Sequence, residues 1–406
     1  MNILFLTLVN IKSFDEKQNI YSDLCRELIS RGHSVYIVCP DEAGAEAGFT
    51  SYGESGGILK VRTGRVQKTS LIKKGIATLL LGRRFKNAIK KYIKGVKFDA
   101  VVYSTPPITL YSIVKYVKKR DRAFTYLLLK DIFPQNARDL GMMSGKGIKA
   151  PIYVYFKMIE KRLYAISDAI GCMSGANVNY LIKNEPNLPK EKIHINPNSI
   201  EPDIKVFSEE EKLALRQRYN LPLDKKIFIY GGNVGKPQGI PFVIECMRRV
   251  SDNGACHFVI CGSGTELSKL QSYREQSGQE NLTVIPGLPK DEYENFVGCC
   301  DVGLIFLDYR FTIPNLPSRL LSYMQKSMPV IACTDTATDI GKIISDGGFG
   351  IWCPSNDIEM FNDAVSRMLD SDMEKMGERA GEYLVDHYNV AKSADIIIKS
   401  CGEVKK

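Results

Sequence analysis

Short apolar, β-rich runs recur along this chain in two blocks, and in the second block one helix-length segment separates successive runs. The first comprises residues 2–9, 34–39, 100–103, 124–129, 169–173 and 193–195, and the second 227–230, 257–261, 282–285, 302–307 and 330–333. Short runs of this kind, bounded by turn or helix signals, predict parallel strands buried beneath helices. The start of the chain shows the unit: Ile20, Tyr21, Leu24, Cys25 and Leu28 recur at helical spacing, Arg31-Gly32-His33 ends the helix, and the next run begins. Between the blocks, residues 198–224 are polar and irregular, with Pro202, Pro222 and a charged stretch from Glu209 to Lys212. The expected organisation is two doubly wound, Rossmann-like α/β domains, 1–200 and 201–385, then a helical tail, 386–406, that can pack back on the first. In open α/β sheets ligands bind at the carboxyl ends of the strands, so such domains are expected to face a central cleft lined by the loops after the strands.

The 406 residues carry a formal charge of +9, yet thirteen of the 55 Lys and Arg fall within residues 60–97, where no Asp or Glu occurs. Elsewhere 42 cations face 46 anions, so the basicity belongs to one segment. Wound as a helix at about 100° per residue, it gathers Leu81, Phe85, Ala88, Ile89, Tyr92 and Ile93 on one side and Arg83, Arg84, Lys86, Lys90, Lys91 and Lys94 on the other. The apolar side could pack into the first domain or lie on an anionic membrane surface. Nucleic acid is not expected, because Phe85 and Tyr92, the rings able to stack, lie on the apolar side. No window approaches the roughly 18 apolar residues of a membrane span, and the start of the chain lacks a signal peptide's basic region and cleavage site. A cytoplasmic protein, peripheral on the inner face of the plasma membrane, is expected. The eleven cysteines read as reduced core thiols, and no spacing suggests a metal site, so neither metal nor cofactor is expected.

Three constellations can carry chemistry. The loop Tyr230-Gly231-Gly232-Asn233-Val234-Gly235-Lys236-Pro237-Gln238-Gly239 joins a strand to a helix, and its glycines and free amides suit an anion such as a diphosphate. It is neither a Walker loop nor a dinucleotide fingerprint, and it could be a structural turn. In Asn315-Leu316-Pro317-Ser318-Arg319, a hydroxyl, amides and a guanidinium converge just inside an expected helix start, either as a second anion site or as a capped surface helix. Lys130-Asp131-Ile132-Phe133-Pro134-Gln135 ends a first-domain strand, and Asp131 could accept bonds from a sugar hydroxyl, act as a base or cap the next turn.

In order and spacing these pieces resemble the retaining nucleotide-sugar glycosyltransferases of family 4, which have the GT-B fold. The resemblance spans nearly the whole chain, through Arg31-Gly32-His33-Ser34-Val35, Asn196-Pro197-Asn198, Ile260-Cys261-Gly262-Ser263-Gly264, Val284-Ile285-Pro286-Gly287-Leu288-Pro289 and Pro317-Ser318-Arg319-Leu320-Leu321-Ser322-Tyr323-Met324. Lys130-Asp131-Ile132-Phe133-Pro134 is similar to a segment of members that build bacterial surface polysaccharides. The resemblance implies transfer of a hexosyl or N-acetylhexosaminyl group, with retention, from a nucleotide-sugar donor, UDP favoured, to a lipid-linked glycan acceptor in capsule, exopolysaccharide or O-antigen synthesis.

On this resemblance Asp131, Lys236 and Arg319 are the implied catalytic groups. Gly231, Gly232, Asn233, Gln238, Gly262, Gly264, Leu288, Asn315, Pro317, Ser318 and Ser322 are implied in donor binding, and Lys130, Phe133 and Ser13 in acceptor binding. Many members carry two glutamates separated by seven residues where this chain has Pro314 and Ser322, and a phosphate-binding Arg and Lys where it has Asn233 and Gln238. Lys236 and Arg319 could restore the charge. The missing glutamates leave open a non-catalytic partner that binds or stabilises an active glycosyltransferase. An epimerase of the same fold is disfavoured by the unpromising histidines, and an NAD oxidoreductase by the absence of glycine from residues 10–15.

Overall fold

The computed structural model describes the chain except residues 17–18, 42–46, 64–70, 148–149 and 404–406, and the side chains of 71–79 and Glu403. The chain divides into two compact units, Met1–Glu201 with Asn389–Lys406, and Pro202–Tyr388.

The first unit holds strands β1 (Asn2–Leu6), β2 (Ser34–Asp41), β3 (Gly48–Ser51), β4 (Gly56–Arg62), β5 (Ala100–Ser104), β6 (Phe124–Leu129), β7 (Ala169–Cys172) and β8 (Ile193–Ile195). They form one sheet in the order β3-β4-β2-β1-β5-β6-β7-β8, parallel except for the β3–β4 pair. Ile3, Phe5, Val102 and Leu128 are buried in its core, and each such side chain contributes about 1.5–3 kcal/mol. The first strand stops at Leu6 rather than residue 9, because the Thr7 hydroxyl takes the Val9 amide at 3.0 Å and turns the chain. The β3–β4 hairpin is not expected from the sequence: Lys60 and Arg62 alternate with buried Leu59 and Val61 on β4, and the charges obscure the alternation.

Right-handed crossovers set the helices after β4, β5, β6 and β7 on one face of this sheet. They are Leu71–Tyr92, Tyr111–Asp121, Ala150–Ile166 and Gly175–Asn184, the first three packed in succession. The other face carries Ile20–Ser30 with Val390–Glu403 packed on it. That C-terminal helix is tied down by an ion pair between Arg31 and Asp395 and by the Ser393 hydroxyl on Asn196 Oδ1 at 2.7 Å. Of the two placements open to the basic helix, the packed one is found: Leu81, Phe85, Ala88 and Ile89 are buried, as is Ile93 just beyond it, while Arg83, Lys90 and Lys91 are exposed. Arg65 and Lys68 lie outside the described residues.

The second unit holds β9 (Lys226–Asn233), β10 (Cys256–Ser263), β11 (Leu282–Pro286), β12 (Val302–Phe306), β13 (Val330–Thr334) and β14 (Gly350–Pro354). They make a parallel sheet in the order β11-β10-β9-β12-β13-β14, over a core that includes Phe228, Phe258, Phe306 and Phe361. Strand β14 is a further element the apolar runs do not announce, since Gly350 and Pro354 bracket it at the sheet edge. All eleven cysteines are buried and unbridged. Among the described residues no helix is long and apolar enough to cross a membrane.

Candidate functional site

Each unit presents its singled-out residues where a central parallel strand ends. In the second unit, β9 runs into Tyr230-Gly231-Gly232-Asn233. The buried Tyr323 hydroxyl lies between the strands, accepting from the Gly231 amide at 3.3 Å and lying 3.0 Å and 3.1 Å from the Ile229 and Leu304 carbonyls. Arg319, one helical turn before Tyr323, places its guanidinium 4.1 Å from the Tyr230 ring centroid. Such stacking suits a planar, delocalised cation. The Tyr230 hydroxyl donates to the Asn233 carbonyl at 2.6 Å, which holds the ring in place. Burial raises the Tyr230 phenol's pKa, and Arg319 beside it opposes the rise. Gly232 has φ +112°, and a Cβ there would sit 3.3 Å from Arg319 Nη2, so glycine leaves the guanidinium uncovered. Arg319 Nη1 is buried and has no hydrogen-bond partner, as is the Ser322 hydroxyl one turn on. A buried donor left unpaired costs about 1–3 kcal/mol, which an anion placed there would return.

The remaining loop residues divide between exposure and scaffold. Lys236 is exposed on a short turn, Lys236–Gln238. Gln238 is turned inward, its Oε1 accepting from Asn233 Nδ2 at 2.8 Å and from the Gly235 amide at 3.1 Å, so this pair closes the loop. Gly231, Gly262 and Gly264 are required by packing: a Cβ would overlap the Tyr293 hydroxyl, the Gly232 carbonyl and the Val234 carbonyl respectively. Ser318 precedes the helix Arg319–Gln325 rather than lying inside it, is exposed, and makes no side-chain cap. That helix has only seven residues, so the fixed charge here is the guanidinium rather than the helix end. The Asn315 carbonyl accepts from the Thr338 hydroxyl at 2.6 Å, while Pro317 and Leu288 are half-buried in the loops.

In the first unit, β6 ends at Leu129 and leads into Lys130 and Asp131, whose amides both point to the Thr105 hydroxyl, at 3.1 Å and 3.4 Å. The side chains then diverge. Lys130 Nζ reaches the Asn196 carbonyl at 3.4 Å, and burial lowers its pKa to about 7. Asp131 Oδ2 accepts from Asn136 Nδ2 at 2.7 Å, and burial raises its pKa to about 7, with Glu160 adding to the rise. Glu160 is itself fully buried, gripped by Lys157 Nζ at 2.6 Å and the Tyr164 hydroxyl at 2.9 Å. Phe133 packs edge-on to Phe156 at 5.2 Å. Ser13 is half-buried in the loop after β1, and among the described residues no hydrogen bond or ring contact ties it to the segment after β6.

The arrangement therefore supplies a fixed, partly unsatisfied cation in one unit and a carboxyl poised near neutrality in the other. Sequence reasoning gave no role to Tyr230, Tyr293, Tyr323, Thr105 or Glu160. Only Glu160 left a usable signal, an ion-pairing and hydrogen-bonding spacing from Lys157 and to Tyr164 along one helix.

Comparison with known proteins agrees with both halves of this picture. Residues 19–204 match the family described as Glycosyltransferase Family 4 and residues 211–384 the family described as Glycosyl transferases group 1. The chain is 23% identical over 327 residues to the probable glycosyltransferase WbjE of Pseudomonas aeruginosa, covering 80% of this chain and 79% of that one. It is 24% identical over 248 residues to WcaI of Escherichia coli, named as a putative colanic acid biosynthesis glycosyl transferase, covering 61% and 60%. Among solved structures, sucrose-phosphate synthase of Thermosynechococcus elongatus superposes with a TM-score of 0.75 at 13% identity, over 99% of this chain and 98% of that one. HepE of Anabaena, solved with UDP and glucose, superposes with a TM-score of 0.66 at 12% identity, over 99% and 100%.

Proposed function

Because this chain is a glycosyltransferase of the GT-B fold, we propose that it moves a sugar from a nucleotide diphosphate sugar, UDP favoured, to a hydroxyl of a lipid-linked glycan, with retention at the anomeric carbon. The observation that carries this reading is Arg319, a stacked guanidinium over the bare Gly232 whose Nη1 is buried and unpaired. In the transfer the bond from the anomeric carbon to the diphosphate oxygen breaks, and negative charge gathers on the leaving group. A positioned guanidinium stabilises that charge more in the transition state than in the bound donor. Exposed Lys236 adds a weaker, solvent-screened contribution. The unpaired Ser322 hydroxyl stands where many relatives carry a ribose-binding glutamate and takes the sugar hydroxyl in its place.

On the acceptor side, Asp131 receives the proton of the attacking hydroxyl as the new carbon–oxygen bond forms, a role suited to a carboxyl whose pKa is near 7. The name of WcaI supports a bacterial surface polysaccharide as the product, and HepE with UDP supports the nucleotide. The cations of residues 60–97 would meet an anionic membrane surface on the cytoplasmic side, where such an acceptor is held.

The second reading, a non-catalytic partner of an active transferase, is favoured by Pro314 and Ser322 at the glutamate positions. Calorimetric titration with UDP and GDP separates the two. Binding of UDP with release of free UDP from a UDP-sugar in the presence of acceptor supports transfer, and no binding of either nucleotide at about millimolar concentration removes it.

A further inference from the structure

Soluble helices normally turn their apolar side inward. The helix Ala150–Ile166 does so with Ile159, Leu163 and Tyr164, yet Ile152, Val154, Tyr155 and Met158 remain between 38% and 60% exposed. Taken at about 100° per residue, Val154, Tyr155 and Met158 share one solvent-facing arc with exposed Lys161 and Arg162. The arc is apolar over its first 6 Å or so, from Val154 to Met158, and basic beyond.

Its surroundings have the matching charge. The three helices packed side by side on this face, Leu71–Tyr92, Tyr111–Asp121 and Ala150–Ile166, carry fourteen Lys and Arg and only two acids, Asp121 and Glu160. Both acids are buried and paired, with Arg120 and Lys157 respectively. On the opposite face of the sheet, Ile20–Ser30 and Val390–Glu403 carry three cations and four acids. One face is thus basic with an apolar stripe, and the other is balanced. On its other side the helix Ala150–Ile166 meets the segment after β6, since Phe156 packs on Phe133 and the Tyr153 hydroxyl donates to Gln135 Oε1 at 3.0 Å.

We propose that the helix Ala150–Ile166 is the membrane-docking element, with Val154, Tyr155 and Met158 entering the headgroup–acyl boundary of an anionic bilayer and Lys161, Arg162 and the neighbouring helices' cations meeting its headgroups. Insertion is thereby assigned to this helix; in the described part of the 60–97 segment Leu81, Phe85, Ala88, Ile89 and Ile93 are buried, and the cations beside them contribute charge. The inference deepens, and rests on, the reading of the acceptor as lipid-linked: a glycan lipid in that bilayer would stand about one helix diameter, roughly 10 Å, from the loop bearing Asp131.

The test uses the full chain without substrate and extruded vesicles of phosphatidylcholine with or without phosphatidylglycerol. Sedimentation with the anionic vesicles is expected, with about tenfold weaker partition for the Val154→Ser/Met158→Gln variant. In a Trp352→Phe background, the indole emission of the Tyr155→Trp variant should shift to the blue on anionic vesicles. Wild-type partition of the folded double variant, or an indole emission that the vesicles leave unmoved, overturns the proposal. So does a dimer in sedimentation velocity that the double variant dissolves while vesicles bind neither form, which would assign the stripe to a second copy of the chain. UDP titration of the wild-type chain keeps the two readings apart: no binding to the anionic vesicles with intact UDP binding breaks the docking, and vesicle binding without UDP binding breaks the transfer.

Discussion

The end of β9 and the end of β6 solve two different electrostatic problems with the same architecture. At β9 the charge is permanent: Arg319 lies on the Tyr230 ring, Gly232 beside it leaves the guanidinium uncovered, and one guanidinium nitrogen is left without a partner. At β6 the charge is conditional, because burial brings Lys130 down and Asp131 up to about 7, and their side chains reach to different partners, Asn196 and Asn136. A leaving diphosphate needs a cation that never titrates, whereas a hydroxyl that must lose a proton needs a group that does. The difference between the two strand ends is the difference between those tasks.

The sharpest way to break this comparison is Arg319→Ala, which should lower transfer by roughly 10²–10³-fold and weaken UDP binding in calorimetry; unchanged turnover would remove the donor assignment. Asp131→Asn should cost about a hundredfold in turnover and flatten the pH profile. In the wild type the rate should rise as pH passes upward through about 7, where Asp131 becomes the base. The stability consequence has a definite sign. The folded Asp131 value lies above its ordinary one, so its favourable contribution is present at low pH and lost as pH rises through about 7. Melting of Asp131→Asn should therefore show a gain of about 1–2 kcal/mol near pH 8 and little near pH 4, the shift being discounted for partial exposure.

A packing test separates scaffold from chemistry at β9. Gly231→Ala should destabilise by about 1–3 kcal/mol in thermal or urea unfolding, and Tyr293→Phe in the same chain should recover part of the loss by removing the overlapped hydroxyl. The smallest effect is expected from Lys236→Ala, about tenfold in transfer at low salt and shrinking as ionic strength rises, because the side chain is exposed. A salt-independent loss would show that Lys236 is enclosed when donor binds, and would place it with Arg319.

Much of the architecture was legible from residues alone. Runs such as 100–103 and 124–129 fall on β5 and β6, since strands covered on both faces must be apolar throughout. The hairpin β3–β4 was not legible, because Lys60 and Arg62 on an outer strand look like part of a charged helix. At the sites, the glycine loop and Arg319 stood out by residue type. The roles within the loop did not: Gln238 and Asn233 hold each other, and Gly262 and Gly264 serve close backbone approach. Residue type reports which interactions a side chain can make, and neighbours decide which ones it does.

The same division holds for the whole chain. Its sequence by itself determined the two α/β blocks, the strand end that leads into Asp131, the helix start at Arg319, and the concentration of charge in residues 60–97, because each follows from periodicity, turn signals or composition along the chain. Only the tertiary structure decided that Asp131 and Lys130 sit near neutrality, that Arg319 keeps an unpaired nitrogen, and that Ala150–Ile166 carries an exposed apolar stripe. Desolvation and exposure depend on what packs around a group in space, and residues far apart in sequence supply that surrounding.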